Sequence, residues 1–441
     1  TLFRSKSSLV DQNLASFFGR VNYKLMDRYM LTASLRADGS SVFAPGKKWG
    51  YFPSVALAWR INEENFLKNV DAISNLKLRL SWGQSGQCAI DPYQTVGLLG
   101  NSTYSFNNEG AYGFYPKTMS NKELTWETTT QYNLGLDFGF FNNRISGSID
   151  IYKAETRDIL MNRVIPSING YASVMENIGK TESTGVDLTL STVNIQNKNF
   201  SWFSDFSLSH NREKIKELAS GQLKDEANAW FVGEPFKVFY DYKKEGIWQL
   251  GEEAAAAANG QEPGDIKVQD VDGNGVITTD DRIIYSQRPD VTFGFNNTFN
   301  YKGFDLSVFL YARLGQWIAY DYNTTYRINA LENGGNVDYW TPENPTNAFP
   351  RPNKSKSYTQ VTYYSTLKYE DGSFFKIRDI TLGYTFKPEL LKHLNLSRLR
   401  VYATAKNFFT FSKIDNYDPE QGGSISFPMT KQLVFGLNVE F

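Results

Sequence analysis

The chain has 441 residues, 15% of them aromatic, yet its mean hydropathy is −0.43 and its formal net charge at pH 7 is −1. A chain this close to neutrality offers no electrostatic basis for binding nucleic acid. It contains no run of about 18 apolar residues, which excludes a transmembrane helix. Its single cysteine, Cys88, excludes an intrachain disulfide and a cysteine-based zinc site.

Taken in chain order, the sequence alternates apolar and polar residues over segments of about ten residues, as in Leu134, Leu136 and Phe138. This period is typical of strands with one face toward lipid and the other toward a polar interior. Two polar residues, Ser204 and Asn297, interrupt otherwise apolar faces. The pattern predicts thirteen strands, near residues 13–25, 28–37, 50–61, 75–83, 128–140, 143–153, 180–193, 198–212, 289–299, 303–314, 374–386, 396–408 and 431–441.

The connections between these strands tend to alternate between short and long. The shorter set is 26–27, 62–74, 141–142, 194–197, 300–302 and 387–395, and the longer set is 38–49, 84–127, 154–179, 213–288, 315–373 and 409–430. The 62–74 stretch is no shorter than 38–49, and the run 254–258 predicts a short surface helical turn. Outer-membrane barrels combine short periplasmic turns with long extracellular loops. The sequence therefore predicts an all-β protein, a transmembrane antiparallel β-barrel of the bacterial outer membrane.

An orientation follows if the last strand runs toward the periplasm. The shorter connections and the C-terminus then lie on the periplasmic side, where four apolar-face aromatics form a girdle: Phe140, Phe299, Phe386 and Phe441. An odd number of strands does not close a single-chain bacterial barrel. We therefore expect the missing strands to precede Thr1, with 1–441 forming the C-terminal portion of one barrel domain.

Several short motifs, in this order along the chain, resemble the SusC/RagA family of TonB-dependent transporters of the Bacteroidetes outer membrane. Each is weak alone, but together they cover nearly the whole chain. They are Phe17-Phe18-Gly19-Arg20-Val21-Asn22-Tyr23, Ser34-Leu35-Arg36-Ala37-Asp38-Gly39-Ser40-Ser41, Gly50-Tyr51-Phe52-Pro53-Ser54-Val55, Leu76-Lys77-Leu78-Arg79 with Ser81-Trp82-Gly83-Gln84-Ser85-Gly86, Leu124-Thr125-Trp126-Glu127, Lys406-Asn407-Phe408 and Asp418-Pro419-Glu420.

The resemblance implies a barrel of about 22 strands filled by an N-terminal plug, with a TonB-contacting segment before the plug. On that basis the plug and the TonB box are absent from this chain. The resemblance also implies a SusD-like surface lipoprotein as a lid over the extracellular mouth, a dimer of such transporter–lipoprotein pairs, and import of oligosaccharides or oligopeptides. Motifs of this kind do not distinguish a glycan from a peptide substrate.

The stretch 270–281 has the ligand spacing of a calcium-binding loop. Position 12 is Asp rather than the usual Glu, and no flanking helices are evident. The alternative is an Asp- and Asn-rich turn held by side-chain-to-backbone hydrogen bonds. We predict a structural calcium ion with oxygen ligands from positions 1, 3, 5, 7 and 12, which are Asp270, Asp272, Asn274, Val276 and Asp281.

Aromatic residues are frequent in the long connections and are candidates for contact with substrate or with the lid. For any single one of them, packing within the loop is the favoured alternative. The candidates are Trp230, Phe231, Trp317, Tyr320, Tyr322 and Trp340.

The C-terminal strand ending in Phe441 resembles the signal that the barrel-assembly machinery reads during insertion. The alternative is a last strand that ends in a girdle residue, and the two interpretations are compatible.

No constellation of residues supports catalysis, so we expect no enzymatic activity. Of the two histidines, His210 lies near the predicted extracellular end of a strand and His393 in a predicted periplasmic turn, so a bilayer of about 25–30 Å separates them. The leading prediction is TonB-dependent import. The alternatives are a surface binding or adhesion barrel, a passive porin and, more remotely, a soluble all-β enzyme.

Overall fold

The computed structural model describes residues 9–171, 173–329, 333–391 and 395–441. Its main feature is one sheet of thirteen strands whose order follows the chain. This confirms the predicted all-β class and each of the thirteen strands. They are Leu14–Leu25, Tyr29–Ser40, Trp49–Arg60, Ile73–Gln87, Glu127–Phe140, Ile145–Val164, Ser173–Gln196, Phe200–Glu217, Val291–Tyr301, Phe304–Leu314, Phe374–Thr385, Arg398–Ser412 and Gln432–Glu440.

The chain divides into two compact units, residues 1–188 with 211–236, and residues 189–210 with 237–441. In the first unit, antiparallel pairing sets Leu80 opposite Leu134, and Leu134 opposite Ile151. All three side chains share one face of the sheet and are exposed. An uncovered apolar face of this kind requires an apolar medium rather than water.

The opposite face of the same strands is polar and internally paired. Arg79 donates from Nε to Asp137 at 2.9 Å and from Nη2 to Asp150 at 2.9 Å, and Lys77 lies 2.9 Å from Asp137. Apolar side chains on one face and ion pairs on the other are what the period-two pattern predicts.

In the second unit, pairing places Phe206 opposite Phe295 on the apolar face. The two polar residues that interrupt this face, Ser204 and Asn297, are directly opposite each other and hydrogen-bonded at 2.7 Å. The indole Nε1 of Trp202 also donates to the Asn297 side chain at 3.0 Å. The interruption is therefore tolerated because its hydrogen bonds are made between neighbouring strands.

Some of the short connections are tight turns with backbone in the left-handed region. Met26 and Asp27 have φ of 51° and 58°, and Lys302 and Gly303 have φ of 47° and 94°. Two successive positive φ values are typical of two-residue hairpins, because they match the twist of the paired strands. The predicted short turn at 26–27 is confirmed, and the one predicted at 300–302 is present at residues 302 and 303, because the strand Val291–Tyr301 extends further than predicted.

The long connections differ most from the prediction. Strands Ile145–Val164 and Ser173–Gln196 occupy most of the predicted 154–179 loop, so that prediction is wrong over most of its length. In the part of these strands beyond the predicted ends, charged residues occupy the face that is apolar in the predicted part. The alternation of apolar and polar residues therefore stops there. The helical turn predicted at 254–258 is confirmed as the helix Glu253–Ala258.

Short strands also pair within the long connections, which the alternation did not predict. They are Leu99–Phe106 with Glu109–Pro116, Lys224–Asp225 with Trp230–Phe231, Val238–Tyr242 with Arg282–Ser286, Lys244–Ile247 with Ile266–Val268, and Trp317–Ala319 with Tyr369–Asp371. A second short helix is Pro388–Leu391. In the described part of the chain, no helix combines the length and apolar character needed to cross a bilayer.

One loop core in the first unit unites residues from three of the quoted motifs. Phe52, Leu124 and Trp126 are buried together with Val42, Phe43 and Ile90. A Cβ added at Gly86 would lie 1.9 Å from the Phe52 ring, so only glycine lets the ring approach this strand. These motif residues therefore build the base of the long connections.

Candidate functional site

The loop 270–281 brings three of the predicted metal ligands together. Single carboxylate oxygens of Asp270, Asp272 and Asp281 lie within 4.8 Å of one another. Gly273 and Gly275 have φ of 71° and 83°, which lets the chain curl around the carboxylates. Three carboxylates so close repel one another, and a divalent cation would relieve that repulsion.

The same loop also makes the hydrogen bonds of the alternative interpretation. Asp281 is completely buried, and its carboxylate accepts from the backbone N–H of Val271 at 2.8 Å and of Thr278 at 2.7 Å. The Thr278 amide is the main reason why the pKa of this carboxyl is below its usual value. Asp270 accepts from the amides of Gly273 and Gly275, at 2.8 Å each.

The two interpretations are physically compatible, because an ionised carboxylate has about four acceptor sites. Asn274 accepts from the Val276 amide at 2.8 Å, and both of these residues are exposed. The structure shows the hydrogen bonds of the alternative, an Asp- and Asn-rich turn, and it also brings Asp270, Asp272 and Asp281 together. The calcium ion stays a prediction.

Replacing Asp281 by alanine is expected to loosen this loop even in the presence of a chelator. The change leaves the amides of Val271 and Thr278 without their acceptor. Because both residues are exposed and water can replace the carboxylate, each lost hydrogen bond should cost on the order of 1 kcal/mol. Hydrogen exchange of the 270–281 amides measures the effect. Asp280→Ala, at an exposed neighbour, is the control and should change stability by less than about 0.5 kcal/mol. Equal exchange in the two variants would contradict the role given to Asp281.

The aromatic candidates in the first unit lie in a small loop core. Phe231 is buried, and the half-buried Trp230 packs edge-on against Phe236 with the ring centroids 5.8 Å apart. Trp230 also lies against the buried cluster that contains Met161 and Ile215. These contacts account for Trp230 as loop packing, and the burial of Phe231 fits the same role.

The candidates in the second unit have a similar distribution. Tyr320 and Trp340 are buried, and the Trp340 indole donates to the Gln249 side chain at 2.9 Å. Trp317 and Tyr322 are half-buried: Trp317 packs on Tyr285, and Tyr322 stacks on Tyr320. Contact with substrate or lid stays a prediction, and it is most readily met by the half-buried members Trp230, Trp317 and Tyr322.

The second unit also has an open cavity of about 760 Å³, which was not predicted. Its wall combines hydroxyl, charged and aromatic side chains, which suits a polar ligand. Tyr364 in that wall is fixed by its own hydroxyl, which donates to the carbonyls of Thr324 and Tyr326. The charged and aromatic lining residues are Asp321, Arg327, Lys368, Tyr363 and Tyr364.

A buried ion cluster fixes the last long connection. Lys376 is completely buried, and its ammonium lies 2.6 Å from Asp418 and 2.7 Å from Glu420. The sequence singled out Asp418 and Glu420 as part of a motif but not their partner, because nothing local connects residues so far apart in the chain.

The structure describes one of the two histidines. His210 is exposed, and its Nδ1 lies 2.6 Å from the backbone carbonyl oxygen of Asp290, whereas His393 lies outside the described residues. Within residues 9–171, 173–329, 333–391 and 395–441, the acidic loop is the one group of three or more close metal-ligating side chains. The absence of enzymatic activity stays a prediction.

Comparison with known proteins gives consistent matches. The family model described as TonB dependent receptor-like, beta-barrel matches residues 4–408. TonB-dependent receptor P26 of Formosa agariphila is 35% identical over 460 residues, covering 97% of this chain and 46% of the relative. TonB-dependent receptor SusC of Bacteroides thetaiotaomicron is 35% identical over 474 residues, covering 99% of this chain and 45% of the relative.

Among solved structures, the RagAB peptide transporter is similar to this chain with a TM-score of 0.81 and 28% identity. The match covers 98% of this chain and 48% of the matched one. The chain therefore spans about half the length of the relatives that it matches.

Proposed function

The chain belongs to the TonB-dependent receptor β-barrel family, and from that premise we propose that the full-length protein imports a nutrient oligomer across the bacterial outer membrane with energy delivered through TonB. The observation that carries the proposal is the two-faced sheet. One face exposes aliphatic side chains, as lipid requires, and the other carries charged pairs that suit the lining of a polar path. The similarity to SusC and to RagAB supports the same activity.

The partners are part of the proposal. We expect a SusD-like surface lipoprotein to cover the extracellular mouth, and TonB to act on a plug and a TonB box outside this chain. A dimer of transporter–lipoprotein pairs is the expected assembly. The substrate is an oligopeptide or an oligosaccharide. A peptide substrate is supported by the 28% identity to the RagAB peptide transporter. Mass spectrometry of copurified ligand distinguishes an oligopeptide from an oligosaccharide.

Uptake by cells tests the import mechanism. Cells that carry the full-length protein should lose uptake of the copurified ligand when TonB is deleted, down to the level of cells without the transporter. The reason is that plug displacement requires force from TonB. The control is a porin substrate, whose uptake should be unchanged in the same cells. Uptake that persists without TonB would indicate a passive porin, and ligand binding without any uptake would indicate an adhesion or binding barrel.

The orientation and the assembly signal extend the proposal. Phe441 is exposed and follows the last strand, Gln432–Glu440. We expect it on the periplasmic side, where the barrel-assembly machinery would recognise it. This is supported by the short turns, such as Met26-Asp27 and Lys302-Gly303, which suit periplasmic ends.

Calcium binding by the 270–281 loop is a further part of the proposal. The full-length protein should bind Ca²⁺ with Asp270, Asp272 and Asp281 as carboxylate ligands, and the ion should stiffen the loop. Asp270→Asn with Asp272→Asn should weaken binding by about tenfold or more, because site charge tunes affinity. Calorimetric titration measures it, with Asp280→Asn as the control. Equal affinity in both variants would leave the loop as a turn held by hydrogen bonds.

A further inference from the structure

One face of the first unit changes character within a few residues along three paired strands. On strands Ile73–Gln87, Glu127–Phe140 and Ile145–Val164, the aliphatic row Leu80, Leu134 and Ile151 is one level of the apolar face. Two residues further along, Trp82 pairs with Tyr132, which pairs with Lys153. Because alternate residues share a face, the levels beyond are Gln84, Thr130 and Glu155, then Gly86, Thr128 and Arg157. Aliphatic, aromatic and charged levels therefore follow one another on a single face.

The charged level continues across the next two strands through ion pairs. The Glu182 carboxylate lies 2.9 Å from the Lys153 ammonium and 3.0 Å from that of Lys214. Lys180 in turn reaches Glu155 at 3.4 Å. We call this group of side chains the basic rim. Its members are Lys153, Arg157, Lys180, Lys214 and Lys216, with the carboxylates Glu155 and Glu182.

The rim presents positive charge outward. Five basic side chains accompany two carboxylates, so three positive charges are in excess. The Glu182 side chain is only 10% exposed, whereas that of Lys153 is 55% exposed. The Glu182 carboxylate therefore lies beneath the ammonium groups that it pairs with, and the lysine side chains are the more exposed part of the cluster. Such an arrangement attracts an anion rather than a cation.

A cavity of about 440 Å³ lies between the aromatic level and the rim. Trp82 and Tyr132 form its apolar side. Lys153 and Arg157 supply donors on its charged side, where Glu155, the ion-pair partner of Arg157, also lines the cavity. Amphipathic aromatics of this kind mark the boundary between hydrocarbon and polar headgroups. A ligand that fills the cavity would thus have an apolar part toward the aliphatic level and an anionic group at the rim.

We propose that the basic rim binds the phosphate of an anionic lipid in the outer leaflet of the membrane. The inference rests on the proposed function, since the face meets lipid only in an outer-membrane barrel. Continuity with the aliphatic level favours a lipid over a soluble anion, which would have no use for the aromatic side of the cavity. Lysine and arginine just outside the hydrocarbon are the side chains that recognise anionic headgroups.

The experiment measures lipid retained by the full-length transporter after extraction from its own membrane into mild detergent. Mass spectrometry counts phosphate-bearing lipid per protein in the wild type and in Lys153→Gln/Lys214→Gln/Lys216→Gln. Loss of three cations should reduce the retained lipid by about tenfold or more. The matched control, Lys117→Gln/Lys122→Gln/Lys356→Gln, removes three lysines that are exposed elsewhere and should retain the wild-type amount.

Further arms separate charge from folding and lipid from free phosphate. Lys153→Arg/Lys214→Arg/Lys216→Arg should retain the lipid. The double variant Arg157→Gln/Lys180→Gln should lose the lipid, although it keeps the ion pairs of Lys153 and Lys214 with Glu182. Inorganic phosphate should not displace the lipid. Enzymatic removal of the lipid phosphate should release the lipid from the protein.

Equal retention in the Gln variants and the control, or displacement by inorganic phosphate, would overturn the proposal. Loss of lipid with normal ligand uptake would support the rim and leave import intact. Absence of the wild-type protein from the outer-membrane fraction would instead overturn the proposed function, and the rim with it.

Discussion

Alanine in place of Trp126 should detach the loop core of the first unit from the strands beneath it. Trp126 is buried against Phe43 and Phe52, with ring centroids 5.5 Å and 5.6 Å away, and its indole donates to the Lys48 carbonyl at 3.0 Å. Removing a buried tryptophan side chain costs about 3–5 kcal/mol, because the cavity closes only partly. The strands themselves should stay formed, since their ladders do not depend on this ring.

Hydrogen exchange of the full-length protein in a lipid nanodisc measures the change. Amides of the 41–48 and 88–96 stretches should lose roughly a hundredfold of protection. The protection in Trp126→Phe should lie between that of the wild type and that of Trp126→Ala. This variant keeps the ring packing and loses one hydrogen bond, at a cost of about 1 kcal/mol. Phe114→Ala is the matched control, as it removes an exposed aromatic from the same connection. If Phe114→Ala loosened these stretches as much as Trp126→Ala, the core would not have the role assigned to it.

The second large effect is expected when Lys376 is replaced by methionine. Lys376 is 0% exposed, and its removal leaves the Asp418 and Glu420 carboxylates, each about a tenth exposed, without their main counter-charge. Breaking a buried ion pair by removing one partner costs about 3–5 kcal/mol. The Thr410 hydroxyl still donates to Asp418 at 3.2 Å, so the Asp418 carboxylate keeps one of its polar partners.

Limited proteolysis and hydrogen exchange both measure the opening of the 413–431 connection. Lys413→Met is the matched control: Lys413 pairs with Asp371 at 3.1 Å but is 77% exposed, so its loss should cost at most about 1 kcal/mol. The triple change Lys376→Met/Asp418→Asn/Glu420→Gln should recover much of the stability, because no buried charge is left without a partner. Arg378 loses its pair with Glu420 at 3.4 Å, but its side chain is 41% exposed and can be solvated. If Lys376→Met and Lys413→Met opened the connection equally, the buried cluster would not be what fixes it.

The strands could be predicted because their signal is local. Side chains alternate between the two faces of any strand, so a lipid-facing strand shows its period whatever its neighbours are. The same holds for the acidic loop, where Asp270 and Asp281 are only eleven positions apart and spacing alone brings them together. Even the interruptions at Ser204 and Asn297 were visible as exceptions, although only the register shows that they satisfy each other.

The long connections could not be predicted in the same way. Where a strand extends beyond the apolar band, as at Glu155 and Arg157, its charged side chains are stable in water and the period disappears. Loop aromatics such as Tyr320 and Trp340 look alike in sequence whether they are buried or offered to a ligand. Their burial is determined by partners far away in the chain.

The sequence by itself therefore determined the class of fold, the thirteen strands, the two faces of the sheet and the short turns, because each depends on periodicity within about ten residues. Only the tertiary structure decided that Lys376 meets Asp418 and Glu420, that Phe52 meets Trp126, and that Glu182 gathers lysines from two neighbouring strands. These contacts join positions about 30 to 75 apart along the chain or across a strand register. No local pattern encodes them, because their free energy arises only when the strands are paired and the loops are packed.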